Sequence, residues 1–297
     1  MQHDVIIVGG AFAGLAAATY LGRARRNVLV IDKGEPRNRF AAASHGFLGS
    51  DGVNPTDILK KAREQLIAYP TVRLVRGEAT SARRVDDGFS FTLASGEKLT
   101  SRLAILAFGL RDSLDPIPGL AERWGKSVLH CPYCHGYEYS DRRLGVLWRT
   151  PMSVHQAALV AEWGPTTLYM NGADLDADSA AALEKRGVQV EPAKVKSLIG
   201  AGTSLSAIEL DDGRQSPLEA LYVAPKSTLS SPLATELGTT IEDGPLGPII
   251  KTDAEKRATV PGLYAAGDIA HMPHSVSFAV ADGVMAGTAA HRALVFG

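Results

Sequence analysis

Cys131 and Cys134 are the only cysteines in the chain, and they sit in the run His130-Cys131-Pro132-Tyr133-Cys134-His135-Gly136-Tyr137-Glu138. Two sulfurs at this spacing can close a small disulfide ring, and the flanking imidazoles can shift a thiol's pKa or shuttle its proton. Two other readings stay open. A tetrahedral zinc site needs four ligands, so His130 and His135 would have to complete it, each directly abutting a cysteine. Alternatively these are two inert buried thiols, a reading weakened by the Pro-Tyr between them and the glycine that follows. The residue types favour a redox pair.

A second constellation says what such a pair would be wired to. Asp4-Val5-Ile6-Ile7-Val8 reads as a buried strand, followed by Gly9-Gly10-Ala11-Phe12-Ala13-Gly14 and an alanine-rich helix. In a strand–turn–helix unit of this kind a dinucleotide's pyrophosphate rests on the helix N-terminus, where free N–H groups and the dipole favour an anion. Gly9 allows the turn and Gly14 lets helix and strand pack closely. The middle glycine of the usual G-x-G-x-x-G pattern is Ala11, with Gly10 beside it. A second strand, residues 27–31, ends in Asp32, which is placed to accept hydrogen bonds from a ribose diol. The bland alternative is an ordinary α/β unit whose glycines serve packing only.

The elements that must position these residues can be traced along the chain. Its 297 residues are long for one core and comfortable for two domains. An apolar fraction of 45% with 21% charged residues is that of an ordinary soluble globular protein. The net charge of −1 argues against nucleic acid. The small Arg23-Ala24-Arg25-Arg26 cluster falls at a helix end, where cations offset the dipole. No stretch has the character of a membrane span, and the start Met1-Gln2-His3-Asp4 lacks a basic secretory leader. A cytoplasmic protein is expected, in which a catalytic disulfide is more at home than a structural one. Residues 72–76 and 89–93 alternate like half-exposed strands, and 103–107 read as a buried strand. Residues 112–118 read as a linker. Strands at 144–148 and 166–170 with a helix over 177–186 suggest a second βαβ unit. A strand over 260–268 ends in Gly267-Asp268, and a helix runs from 276 to 294.

Taken in this order, the Gly9–Gly14 turn, Asp32, the mid-chain Cys131/Cys134 pair and the late Ala266-Gly267-Asp268 resemble the low-molecular-weight thioredoxin reductase-like flavoproteins. That family includes the dithiol oxidases that close disulfides in natural products. The resemblance covers nearly the whole chain. It implies FAD as cofactor and an α/β fold of two Rossmann-like three-layer domains. The FAD domain (1–112 and 244–297) would be interrupted by a pyridine-nucleotide-type domain (113–243) carrying the cysteines. The cofactor contacts it implies are Gly9, Gly10, Ala11, Phe12, Ala13 and Gly14 at the pyrophosphate, then Asp32 and Lys33 after the second strand. Further along it implies Gly109, Gly267, Asp268, Ser275 and Val276. Asp268 would reach the ribityl and phosphate region, and the helix starting at Ser275-Val276 would face the flavin's pyrimidine end. On its own, Gly267-Asp268 reads as a simple turn with an N-cap. His45 falls where the family's loop approaches the flavin. A homodimer is implied too, with the helix over 283–294 as one candidate contact.

Departures from the family pattern are equally informative. A reductase of this kind carries a second glycine-rich turn after the 144–148 strand to hold NADPH, but here the turn reads Trp148-Arg149-Thr150-Pro151-Met152-Ser153. Pro151 removes an N–H donor, and Trp148 and Met152 are bulky where a backbone must approach closely. Asp174 and Asp176 follow the next strand and would repel a 2′-phosphate. Arg149 alone does not replace the cradle. Binding of NADPH or NADH in the usual mode is therefore doubtful. Ala107-Phe108-Gly109 replaces the family's Ala-Thr-Gly. His135 stands where the reductases carry an aspartate acid–base group, as it does in the dithiol oxidases.

By analogy Cys134 is the sulfur nearer the flavin, Cys131 the interchange thiol, and His135 the acid–base that takes a proton from an incoming dithiol. A null role for His135, as a residue at a helix start, stays open. The expected activity interconverts a dithiol and a disulfide, the partner being a small molecule or a thioredoxin-like protein. Without a nicotinamide, electrons would pass to or from oxygen, ferredoxin or a second flavin. Two alternatives are an NAD(P)H-dependent thioredoxin reductase with an atypical cofactor site and a non-catalytic flavoprotein redox sensor.

Overall fold

The structure, a computed structural model, describes residues 2–297. Unbroken apolar runs build its centre. Val5, Ile6 and Ile7 are fully buried, as happens only when both faces of a strand are covered. His3–Val8 lies parallel to Val28–Asp32 on one side and to Lys98–Leu106 on the other, with Val5 opposite Val28 and Ile7 opposite Ile105. Val72–Arg76 extends the sheet beyond Val28–Asp32. Lys98–Leu106 is longer than the strand expected over 103–107 because it serves two partners. Its first half pairs antiparallel with Gly88–Leu93, and its second half pairs parallel with His3–Val8. Leu263–Ala265 joins it in parallel. Helices Phe12–Arg23, Pro55–Leu66 and Val276–Phe296 cover one face, while Phe89, Phe91, Leu233 and Ile250 pack the other.

A second sheet repeats the plan with five parallel strands. They run in the order Gln189–Glu191, Thr166–Tyr169, Leu144–Leu147, Ala220–Val223, Val128–Leu129. Helices Met152–Val160 and Ala177–Glu184 pack on one face through Ala157, Val160 and Leu183. A three-stranded antiparallel sheet packs on the other through Val195, Ile208 and Leu210. Two Rossmann-like three-layer α/β units result, as the resemblance implied.

The chain crosses between them twice, on a two-stranded antiparallel ribbon of Leu110–Ser113 and Lys226–Leu229. Two expectations are corrected by this ribbon. Asp112 and Ser113 belong to a paired strand and not to a linker. The return comes before residue 243: Leu233, Ala234 and Leu237 are buried with Ile6, Phe89 and Ile250 of the first unit.

The helix over Val276–Phe296 uses its small residues inside the chain. Gly283, Ala286, Gly287, Ala289 and Ala290 are buried, and the helix lies against Phe12–Arg23. The candidate dimer contact over 283–294 therefore has its small-residue face already occupied, while Met285 and Phe296 are exposed. Among the described residues no helix is long and apolar enough to cross a membrane.

A Cβ placed on Gly283 would lie 2.1 Å from the Ala13 carbonyl oxygen. Helix propensity alone would make Gly283→Ala stabilising by about 1 kcal/mol. The backbone clash reverses the sign, and we expect a net loss of about 1–3 kcal/mol, read from the midpoint of urea unfolding. An unchanged or raised midpoint would contradict the close helix crossing.

Candidate active-site cleft

A cleft of about 550 Å³ runs from the Gly9–Ala13 turn to the cysteine pair. It begins where His3–Val8 ends. Gly9 adopts φ +115°, and a Cβ there would meet the Ala107 carbonyl oxygen at 2.2 Å, so only glycine fits this turn. Ala11 is the N-cap of the Phe12–Arg23 helix and offers no side-chain hydrogen bond, and the first turn holds no acid. The first N–H groups of that helix are thus left for an anion at the cleft wall, with Gly10, Phe12 and Ala13 lining the same end. Gly14 follows in the first turn of the helix.

Asp32 closes the second strand and is buried. Its Oδ2 accepts from Arg63 Nη2 at 2.9 Å and its Oδ1 from the Gly34 N–H at 2.9 Å. A carboxylate keeps further lone pairs after two bonds, so a ribose hydroxyl can still be accepted. Arg63 also donates to the Gly10 carbonyl at 3.0 Å, tying this carboxylate to the glycine turn. Lys33 lies at the cleft edge with its ammonium on Glu78 at 3.0 Å. Phe108 and Gly109 line the cleft from the end of Lys98–Leu106, and Ser230 holds both, donating from Oγ to the Phe108 carbonyl and from N–H to that of Gly109.

At the cleft's centre stands Arg37, in the short turn Arg37–Phe40. It grips Asp112 through Nε at 2.8 Å and Nη2 at 2.6 Å. Nη1 reaches Asp268 Oδ2 at 2.9 Å and His274 Nδ1 at 2.8 Å, and Nη2 reaches Ser227 Oγ at 3.2 Å. Burial disfavours the Asp112 anion, but the hydrogen bonds and charge of Arg37 outweigh it and hold the carboxyl below its ordinary range. Burial, helped by Arg37, pushes His274 down to about 4. Gly267 and Asp268 line the cleft, and the Gly267 N–H donates to the buried Asp282 Oδ2 at 3.3 Å. Ser275 caps the Val276–Phe296 helix by accepting from the Phe278 N–H at 3.1 Å, and both Ser275 and Val276 face the cleft. Part of the donor set expected at that helix start is therefore used by the cap.

The far wall comes from the other unit. Cys131 and Cys134 are joined as a disulfide and both line the cleft. The Cys134 N–H donates to Cys131 Sγ at 3.2 Å. His135 lines the same wall, and burial lowers its pKa, partly opposed by the charge of Glu138 and with a smaller lowering from His45. Its imidazole is neutral near pH 7 and able to accept a proton. Burial and Arg37 likewise lower His130, whose Nδ1 lies 3.3 Å from the Val223 carbonyl oxygen. His45 stands beside His135 with ring centroids 6.2 Å apart.

The second nucleotide turn is differently built. The Arg149 and Thr150 N–H groups donate to Ser153 Oγ at 3.0 and 3.4 Å, and Ser153 is fully buried. Arg149 Nη1 is held by Asp115 at 2.7 Å. Asp176 caps the Ala177–Glu184 helix, accepting from the Ser179 N–H at 2.8 Å.

All the expected cofactor residues except Gly14 line this one cleft, together with both cysteines, His135 and His45. Arg37, Arg63, Asp112, His274 and Ser153 were not anticipated. A single arginine after Glu35-Pro36 carries no pattern, and Ser153, the second residue of its helix, is not at the N-cap position where a serine signals capping. The free helix N-terminus, the glycine-only turn and the carboxylates at its rim fit an FAD.

Residues 3–283 match the family pattern described as pyridine nucleotide-disulphide oxidoreductase. The chain is 33% identical over 304 residues to thioredoxin reductase tcpT of Claviceps purpurea, an alignment covering 98% of this chain and 94% of that one. An oxidoreductase from Agrobacterium tumefaciens is 45% identical, with a TM-score of 0.95 over 100% of this chain and 99% of that structure. HlmI is 37% identical, with a TM-score of 0.93 over 99% and 93%.

The unfolded chain protonates His274 near the ordinary imidazole pKa of about 6.5, while the folded chain does so only near 4. The unfolded state therefore binds more protons in that window, and folding stability falls as pH drops from about 6.5 towards 4. Asp112, held low, adds to the loss below its own ordinary range. We expect His274→Gln to flatten the upper part of this dependence by about 2–3 kcal/mol, measured by urea unfolding at several pH values. An unchanged slope would contradict the assignment.

Proposed function

Because the chain belongs to the pyridine nucleotide-disulphide oxidoreductase family and is an FAD-dependent disulfide oxidoreductase, we propose that it interconverts a dithiol and a disulfide through Cys131 and Cys134 without ordinary use of NADPH or NADH. The observation that carries this reading is the turn at residues 148–153. In a nucleotide site the N–H groups of such a turn point at the pyrophosphate. Here Ser153 Oγ takes two of them, Pro151 has none, and the cation at hand is paired with Asp115. Met152 stands on the outer side of the turn, and the second strand is followed by the acids Asp174 and Asp176.

The cleft residues supply the chemistry at the sulfurs. One substrate thiol gives its proton to a ring nitrogen of His135 and its sulfur attacks Cys131 Sγ, breaking the Cys131–Cys134 bond and leaving Cys134 as thiolate. The second substrate thiol keeps its proton until it reacts. That sulfur then attacks its partner in the mixed disulfide, passing its proton to the departing Cys131 and closing the substrate's own disulfide. The Cys134 N–H at Cys131 Sγ favours negative charge on the departing sulfur. FAD, when bound, supplies the two-electron acceptor for the reduced pair, and oxygen, ferredoxin or a second flavin are the outlets consistent with a closed nicotinamide turn. Gly9 to Gly14, Asp32, Lys33, Gly109, Gly267, Asp268, Ser275 and Val276 are the residues proposed to hold it. The substrate is a small dithiol or a thioredoxin-like protein, and the enzyme is proposed to work as a cytoplasmic homodimer.

A second reading keeps NAD(P)H as the electron source. It is favoured by the name thioredoxin reductase borne by a relative that aligns over 98% of this chain.

Cys134→Ser is expected to retain FAD and to lose dithiol oxidation by at least about 10³-fold, since no disulfide can form without it. His135→Gln is expected to lose about 10²-fold or more. Both are read as loss of free thiol with time. Dithiol oxidation surviving in Cys134→Ser would overturn the proposed role of the pair.

A further inference from the structure

Oxidation of a dithiol by the Cys131–Cys134 disulfide breaks one S–S bond in the protein and forms one in the substrate. The substrate loses two electrons and two protons. The cysteine pair gains both electrons, and one proton remains on Cys131 as a thiol while Cys134 is left as thiolate. The second proton has to leave the cleft. His135 can take it but cannot keep it, because burial disfavours its charged form.

Resting on the dithiol reading, the geometry points to His45 as the relay that carries this proton from His135 to solvent. The two rings stand edge to face with centroids 6.2 Å apart, and Glu138, whose negative charge acts on His135, also stands at His45. His45 Nε2 lies 3.4 Å from Glu138 Oε1, and its Nδ1 lies 3.5 Å from Asp51 Oδ1. Its two nitrogens thus face two carboxylates, so a proton taken at one can leave from the other. The Asp51 side chain is 71% exposed and delivers to bulk water. Asp51 is aimed by its own loop: Oδ1 accepts the Gly46 N–H at 2.8 Å, and Ser44 and Val53 pair across the loop base.

The cavities match the His135–His45 part of this route. His45 and His135 line both the main cleft and a second cavity of about 380 Å³ on its outer side. They form a partition between the sulfurs and that cavity. The titratable groups that face His45 are Asp51 from its own loop, Glu138 from Tyr137–Tyr139 and His135 from Pro132–His135. Lys126, Arg142 and Glu219 face it across the outer cavity. Neither His45 nitrogen is committed to a backbone carbonyl, the arrangement that would have marked a purely structural ring.

Two variants of the FAD-loaded enzyme test the relay. His45→Gln keeps a hydrogen-bonding side chain that cannot carry a proton. Asp51→Asn keeps an oxygen for the Gly46 N–H but loses the charge. Each is mixed anaerobically with dithiothreitol, and proton release is followed with an indicator dye beside the flavin absorbance. We expect His45→Gln to slow proton release by about 10²-fold, to shift the pH profile, and to recover when free imidazole is added. Asp51→Asn should slow release by a smaller factor. Independently of turnover, the NMR titration midpoint of His135 should rise in His45→Gln, because the lowering contributed by His45 has been removed. Wild-type proton release in His45→Gln would overturn the relay and leave the dithiol reading standing. So would a slowing that imidazole does not rescue and the pH profile does not register, which would make His45 a loop staple. If dithiothreitol fails to bleach even the unmodified enzyme, the dithiol reading itself falls and the relay with it.

Discussion

Arg37 ties together the parts of the chain that have to meet at the cleft. Its guanidinium holds Asp112 on the outgoing crossing strand, Ser227 on the returning one, and Asp268 and His274 on the loop that leads into the last helix. A planar fork with five donors suits this task, because it can bind one carboxylate with two bonds and still reach three other groups. The cost of disturbing it is set by burial. Removing one partner of a buried ion pair costs about 3–5 kcal/mol, since the remaining charge is left uncompensated, and here two carboxylates would be left. The position of the cysteine wall relative to the glycine turn depends on this junction, because the two crossing strands are the chain's path from one unit to the other.

The two nucleotide-type units share a plan and differ at their turns. In the first, Gly9 bends sharply against Ala107 and leaves the N-terminus of the following helix without a side-chain cap. In the second, the following helix is also without a side-chain cap, but Pro151 at its start has no N–H and the buried Ser153 takes the Arg149 and Thr150 N–H groups just before it. A turn whose donors are satisfied internally gains little by binding a phosphate, because each new hydrogen bond would replace an existing one. The proposed chemistry follows from this asymmetry, with an anion-ready turn on one side of the cleft, a cysteine pair on the other, and a self-satisfied turn behind it.

Much of the fold was legible in the sequence because its physics is local. Unbroken runs such as Val5–Val8 announce buried parallel strands, Gly9 announces a turn that no other residue can make, and Cys131 and Cys134 announce a pair that must be in contact. The lost turn at Trp148–Ser153 was visible as an absence of glycine, but the two hydrogen bonds that Ser153 accepts there were not. Arg37, Asp112 and His274 were hidden for a different reason. They are far apart in sequence, and nothing in the character of any one of them tells a buried cluster from a surface charge. The return of the chain near Lys226–Leu229 was misplaced on the same grounds, since strand pairing with Leu110–Ser113 is a long-range contact. His45 lay between these cases. Its neighbourhood could be anticipated, while its two carboxylate partners, Asp51 and Glu138, could not.

The central claim is that electrons reach this cleft from thiols and not from a nicotinamide. The most direct measurement is an anaerobic titration of the FAD-loaded protein, following the visible absorbance of the flavin. NADPH and NADH are added to one sample and a small dithiol to another. The account predicts bleaching by the dithiol, recovery of the yellow colour on admitting air, and no rapid bleaching by either nucleotide. Fast bleaching by NADPH or NADH would contradict it and show that the Trp148–Ser153 turn still receives a nicotinamide.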